Sequence, residues 1–443
     1  MPLLNWKNNY ILLLVGLLAW SPETFAQQLL TKADAARLTL ENNFGIQIAD
    51  NNIRQAENNA QKEGNGYLPT LNGNAGLNVN YGSSTFRFRS GFDQSNPLSS
   101  SVGGNAGLQA NYTLFDRVRD TQLEQLKDTR QLSELQKRQT VENTLLQVFT
   151  AYYEVARQRQ NLQVQEQTIE VSRRRLERAR YRYDYGQGLR LDVLNAKVDI
   201  QRDSINYLNN RRQLANSKRD LNVLMNQDIR SDFEVDTAIT YVQDWQLEQL
   251  ITAAKEDNVD MLLNQQNRYL SEYDLKIIDA GKKPTIDASA GYTVNLTRYD
   301  QKSAIDAQSN QGLNLGLTLN WNILDGGSRK IRRENTRINI QNQLLEKQQL
   351  EQTLERDVTN TWESYRNALF VLKAEAISVS TNQLNLQRTL EQFNAGQVTS
   401  VEFRQAQLNL LNAATSYNNA KFDAKVIELQ LLQLSGKMLS EEW

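Results

Sequence analysis

The sequence predicts an internally duplicated α+β membrane protein. Four β-strands per chain contribute to a shared β-barrel, and very long α-helices continue that barrel into water. Three observations support this class. Stretches free of proline and glycine run far longer than a globular helix. Four segments alternate apolar and polar residues over about ten positions, the period of a strand. The same landmarks recur about 210 residues apart, so the chain reads as two copies of one plan.

The 443 residues carry a formal net charge of −1, so no basic field points to nucleic acid. The chain has no Cys and no His, which removes disulfides, Cys/His zinc sites, imidazole bases and thiol nucleophiles. Mean hydropathy is low and Asn and Gln are abundant, which suits a thin wall wetted on more than one side. At the N-terminus, Lys7 precedes an apolar run from Tyr10 to Trp20, followed by small residues up to Ala26. Residues 1–26 therefore read as a secretory signal peptide. The run is too short for a transmembrane helix, and no other stretch of about 18 apolar residues exists. No Cys follows the expected cut to carry a lipid, so the mature chain is expected to leave the cytoplasm without an inner-membrane anchor.

The first repeat is expected over 27–226 and the second over 247–443, with 227–246 as the joint between them. Glycine is absent from 108–185, 189–280 and 328–395, and proline from 98–283 and beyond 284. These stretches predict helix, with apolar residues at spacings of three and four (Leu145, Phe149, Tyr152, Ala156; then Val358, Trp362, Tyr365, Leu369). A helix from about 117 to 185 would be roughly 100 Å long, which implies a coiled coil or helical barrel. The apolar stripe is narrow, as expected of helices that touch only lateral neighbours.

Strands are expected at about 67–82, 102–116, 284–297 and 312–325. Leu71, Gly73, Ala75, Leu77, Val79 and Tyr81 alternate with Asn72, Asn74, Gly76, Asn78 and Asn80, and the other three segments repeat the pattern. A soluble half-buried sheet also alternates. The favoured reading is a membrane barrel, because the strands have the right length, most have an aromatic near one end (Tyr81, Tyr112, Trp321), and the polar face is nearly uncharged. Four strands cannot close a barrel, so two protomers would supply eight strands and three would supply twelve. Loops 83–101 and 297–311 are expected outside. The first carries Phe86, Arg87, Phe88, Arg89 and Phe92, and contact with outer-membrane lipid is one reading beside plain exposure.

At this point the chain resembles the TolC-like outer-membrane efflux protein family, over about 29–436. The resemblance rests on the duplicated helix–strand–strand–helix plan and on Tyr67-Leu68-Pro69-Thr70-Leu71 before the first strand. Leu114-Phe115-Asp116 and Ile323-Leu324-Asp325 follow the strand pairs, and Tyr183-x-x-Gly186 is followed by Leu191-Asp192-Val193-Leu194-Asn195. It implies a homotrimer with a twelve-stranded barrel in the outer membrane, a helical tunnel across the periplasm, and an equatorial girdle. It further implies a passive exit duct of a tripartite efflux or type I secretion system, served by a periplasmic adaptor (membrane fusion) protein and an inner-membrane pump. On the same resemblance, the turns near 186 and 396 are periplasmic tips. Gly186, Gly188, Arg182, Arg190 and Gly396 are then candidates for adaptor docking, with Arg180 beside them, and Asp192 and Glu402 for a periplasmic gate. Gln405 and Val398 depart from the family pattern, where acidic and basic residues respectively are often found. The residues themselves leave alternatives open: the acids suit the positive start of a helix, the glycines a left-handed backbone, and the arginines a solvated helix end.

No nucleophile elbow, P-loop or calcium loop is present, and Gly186-x-Gly188 lacks the third glycine of a dinucleotide site. The sequence therefore predicts no catalytic, cofactor-binding or metal-binding residue. A periplasmic coiled-coil scaffold or adhesin without a pore is the alternative, and it leaves four strands unexplained.

Overall fold

The computed structural model describes residues 28–440 except 243 and 302–304, so the expected signal peptide lies outside the described residues. In chain order the elements are β1 (Gln28–Leu30), α1 (Lys32–Asn42), α2 (Phe44–Asn59), β2 (Thr70–Arg87) and β3 (Asp93–Phe115). The first long hairpin follows, α3 (Arg117–Asp184) and α4 (Arg190–Leu224), and then β4 (Phe233–Val235). The second copy is α5 (Leu247–Asp257), α6 (Val259–Ala280), β5 (Thr285–Tyr299), β6 (Ala307–Asn320), α7 (Ser328–Asn394) and α8 (Ser400–Leu434). The long helices hold 68 and 67 residues, and their return helices 35 each. No described helix is long and apolar enough to cross a membrane.

The return helices are half as long as their partners, and each repeat makes up the length by a splice. Asn43 caps α2, its Oδ1 accepting from Gly45 N at 2.8 Å, while its Nδ2 donates to the Leu224 carbonyl at the end of α4 at 2.9 Å. Asn258 does the same in the second copy: Oδ1 accepts from Asp260 N at 2.9 Å and Nδ2 donates to the Leu434 carbonyl at 3.1 Å. One amide thus serves orphan groups at two facing helix ends. The composite α2/α4 and α6/α8 struts then flank the unbroken α3 and α7. Towards the tips the order across the wall is α4–α3–α8–α7, and towards the sheet α2–α3–α6–α7.

The main core lies at mid-height, where Leu145, Val148, Phe149, Tyr152 and Ala156 of α3 pack against β1, β4 and Phe422 and Leu429 of α8. β1 pairs in parallel with β4, which ties the joint between the repeats to the start of the chain. The Tyr152 hydroxyl donates to the Leu30 carbonyl and accepts from Asp236 N, both at 3.0 Å, and burial pushes its pKa up to about 12. The corresponding Tyr365 of α7 reaches the Val242 carbonyl at 2.7 Å and the buried Glu428 carboxylate at 2.6 Å.

The four long strands form one antiparallel sheet, in the order β2-β3-β5-β6. Register places Leu71, Leu77 and Val79 opposite Ala110, Gly104 and Val102, and Leu108 opposite Tyr292, so one face is apolar from strand to strand. On the other face asparagines oppose glycines, as in Asn105–Gly76 and Asn78–Gly103. A Cβ at Gly76 or Gly103 would stand 2.8 Å from the facing Asn Oδ1, so the amides fill space that only glycine leaves.

The bounds of three strands differ from the sequence expectation. β2 starts at Thr70, after Pro69, which has no N–H for the ladder. It then runs to Arg87, and β3 begins at Asp93, so most of the expected 83–101 loop is hairpin: Thr85 pairs with Ser95 and Arg87 with Asp93. β6 spans 307–320 rather than 312–325. Its polar start follows the ladder with β5, whereas Trp321 turns to the Lys282 carbonyl (3.0 Å) and Asp325 to the N–H groups of Gly327 and Arg329 at the start of α7.

The splice makes a prediction. Asn258→Asp keeps the capping acceptor but replaces the amide donor facing Leu434, so it should destabilise by about 1–3 kcal/mol, seen as an earlier thermal loss of the helical circular dichroism signal. Asn43→Asp should act in the same direction, and an unchanged midpoint in both would dismiss the splice as a stabilising contact.

Candidate functional site

Both long hairpins turn by the same backbone device. Gly186 and Gly396 sit at φ 71° and 75°, a left-handed conformation that costs other residues about 1–2 kcal/mol. Gly186 N donates to the Tyr183 carbonyl and Gln187 N to that of Arg182. Gly396 N and Gln397 N repeat this to Phe393 and Gln392. This double bond pattern satisfies the last carbonyls of α3 and α7. Gly188 has a different role, because a Cβ there would lie 2.9 Å from Arg182 Cβ, so its absence lets the turn fold back on the helix end. Arg182 donates to the Gln187 carbonyl at 3.3 Å and covers that turn.

The two tips stand side by side. Arg178 of α3 bonds the Asn394 side-chain oxygen and, at 3.0 Å, its carbonyl, and lies 5.3 Å from the Phe393 ring centroid. Phe393 in turn stacks on Phe403 of α8, with centroids 5.1 Å apart. Between the tips lies a groove of about 250 Å³, lined by Arg182, Gly188, Leu189 and Asp192 from one hairpin and Gly396, Val398, Thr399 and Ser400 from the other. The structure therefore brings four of the seven sequence candidates together in this groove: Arg182, Gly188, Asp192 and Gly396. Gly186 faces open space, and Arg180 and Arg190 project into solvent.

The two acidic candidates differ in their surroundings. Asp192 is half-buried in the first turn of α4 and makes no side-chain hydrogen bond or ion pair among the described residues. Glu402 is engaged locally. Its carboxylate accepts from Thr399 N at 2.7 Å and from the Thr399 hydroxyl at 2.8 Å, while Glu402 N donates back to that hydroxyl at 3.2 Å, closing a capping box. Those bonds to Thr399 hold its carboxyl below the usual glutamate range.

Deeper in the wall lies a polar cluster that the sequence reading missed. Arg404 of α8 is 8% exposed and donates to both oxygens of Asp203 of α4 (1% exposed), Nη1 to Oδ2 at 2.8 Å and Nη2 to Oδ1 at 2.6 Å. Ser172 of α3 donates to Asp203 at 2.7 Å, and Gln407 donates to the Thr168 carbonyl at 2.9 Å. Arg175 of α3 donates to Asp199 at 2.5 Å. Three helices from both hairpins are thereby fastened by charge-assisted bonds away from water. A signal was available: Asp199 and Asp203 share the inward phase of Ala196, and Arg404 and Gln407 that of Phe403 and Ala406. Their polarity disguised that phase.

This architecture is that of outer-membrane channels: a four-stranded sheet continued by paired hairpins of unequal helices. The family model described as outer membrane efflux protein matches residues 35–227 and 250–437, one match in each repeat, and the chain belongs to that family. The outer membrane protein TolC of Vibrio cholerae is 22% identical over 382 residues, covering 85% of this chain and 83% of that protein. The outer membrane efflux protein BepC of Brucella suis is 21% identical over 301 residues, 68% of this chain, and the match spans 65% of BepC, just under two thirds of its length. A solved membrane protein from Pseudomonas aeruginosa shares the fold at a TM-score of 0.73 and 16% identity, covering 93% of this chain and 91% of its own. Membership places the chain in the cell outer membrane, spanning into the periplasm.

The buried pair makes a prediction of its own. Arg404→Leu leaves the Asp203 carboxylate buried without its cation and should cost about 3–5 kcal/mol, whereas the double change Arg404→Leu/Asp203→Leu should recover most of the loss. Thermal midpoints of the two single variants and the double variant measure the coupling, and additive losses would contradict it.

Proposed function

We propose that three copies of this chain close head to tail into a passive exit duct through the outer membrane, fed by a periplasmic adaptor protein and an inner-membrane pump of an efflux or type I secretion system. The observation that carries the reading is that one protomer has two open edges in each half. In the sheet these are β2 of the first repeat and β6 of the second. In the wall they are α4, continued by α2 towards the sheet, and α7. Both edge helices expose apolar residues seven apart: Leu191, Val198 and Ile205 on α4, and Ile331, Ile338 and Leu345, then Phe370, Ile377 and Leu384, on α7. That spacing is the seam of a coiled coil awaiting a partner. Each half would be completed by joining the second repeat of one copy to the first repeat of the next, a heterologous contact that closes into a ring.

Three copies suit the barrel better than two. Eight strands enclose only enough room for side chains, whereas twelve leave a lumen. The apolar face would meet lipid and the Asn/Gly/Thr face would line the pore. The chain carries no nucleotide or redox motif, so energy and cargo choice would come from the pump and adaptor, not from enzymatic activity here. A pore-free scaffold is the weaker reading, because it leaves both faces of the sheet without a use.

At the periplasmic end, Asp192 is the stronger gate candidate, because its carboxylate is unengaged within the protomer, and Glu402 the weaker, because Thr399 already holds it. The groove between the tips, with Arg182, Gly188 and Gly396, is the docking candidate for the adaptor, while Gly186 and Arg190 lie at its margin.

Two measurements test this. Purified in detergent, the protein should have the mass of a trimer, and Leu315→Arg on the apolar sheet face should cost about 2–4 kcal/mol and weaken the trimer, while the polar-face Asn314→Arg should not. A monomer released in soluble form from the periplasm would refute the duct. In planar bilayers Asp192→Ala should raise single-channel conductance and Glu402→Gln should change it little. Unchanged conductance for Asp192→Ala would return that residue to a helix-start role.

A further inference from the structure

On the other side of Phe393 from the tip groove, a separate cavity of about 240 Å³ opens between α3 and the α7/α8 pair. Its wall is apolar on one part and cationic on another, with the neutral Asn394 beside them. Val171, Leu390, Phe393 and Phe403 are apolar, and Arg174, Arg175 and Arg178 are cationic. Glu170 pairs with Arg174 at 3.2 Å, and Arg178 is already bonded to the side-chain oxygen and the carbonyl of Asn394. Arg175 is 5% exposed, and its Nη2 bonds Asp199 at 2.5 Å, yet its Nε and Nη1 have no acceptor although buried. Native proteins rarely leave guanidinium donors buried and unmet, and an occupant of the cavity is one way in which they are met.

We propose that this cavity binds a small carboxylate carried on an apolar body, of the size and flatness of an aromatic acid such as benzoate. The buried, unmet guanidinium donors of Arg175 select a negative charge. The aromatic and aliphatic half of the wall selects an apolar remainder, a division of labour usual in ligand pockets. A monoanion suits the site better than phosphate, since most of the wall offers nothing to a dianion's remaining oxygens. The bound acid would touch α3 of one hairpin and α7 and α8 of the other, so it would hold the two together. The inference does not depend on the duct reading.

The test is calorimetric titration of the purified full-length protein with sodium benzoate, against sodium phosphate and benzyl alcohol in matched salt. Saturable binding at one site per chain is expected for benzoate alone. Arg175→Gln should weaken it at least tenfold. Val171→Trp, which fills the apolar half and leaves every charge in place, should do the same and so keeps the test valid if the arginine variant folds poorly. No saturable benzoate binding, equal binding of phosphate or benzyl alcohol, or binding indifferent to Val171→Trp would overturn the proposal.

Discussion

A helix of 67 or 68 residues in a wall one helix thick needs a lateral neighbour along its whole length. Each repeat meets that need by stacking two shorter helices end to end, and the Asn43 and Asn258 amides make the joint. Each amide caps the helix that begins and bonds a carbonyl of the helix that ends. Without such a joint, two sets of orphan backbone groups would face each other beside the apolar equator. The alignment of the hairpin tips, the position of the equatorial core and the junction with the sheet all depend on this length match.

Duplication supplied two copies of the plan, and divergence gave them different tasks at the same positions. Tyr152 and Tyr365 both reach the segment around the joint, but the first meets backbone groups of Leu30 and Asp236, while the second meets Val242 and the buried Glu428. Burial and the Glu428 charge keep the Tyr365 hydroxyl protonated well above its ordinary range. At the tips the same drift separates the acids. Thr399 binds Glu402 into a cap, whereas Leu189, at the matching place before α4, offers no side-chain oxygen and leaves Asp192 unengaged.

Just beyond the tips the wall replaces apolar packing with the Arg404–Asp203 pair and its neighbours. A buried ion pair adds little stability over well-packed hydrophobic side chains, but it tolerates few alternative arrangements, since any slip strands a charge. Here it fixes the register of α8 against α3 and α4. The two hairpins of one chain are thereby joined through buried polar contacts.

Much of this was legible in the chain. Alternation marked the four strands, breaker-free stretches the long helices, and Gly186 and Gly396 the turns, because each is a local property of consecutive residues. The order of the two repeats made the family recognisable. What escaped was whatever depends on a facing element. The polar ends of β2, β3 and β6 pair through backbone groups, which leave no side-chain pattern. Arg404 and Asp203 read as surface charges until the helices carrying them meet, and Asn43 and Asn258 read as simple caps until a second helix end arrives. By itself the sequence determined which segments become helix, strand or turn, because that choice is made by nearest neighbours. Only the tertiary structure decided which charges are buried together, which asparagines join two helices and which edges stay open, because those depend on residues tens to hundreds of positions away.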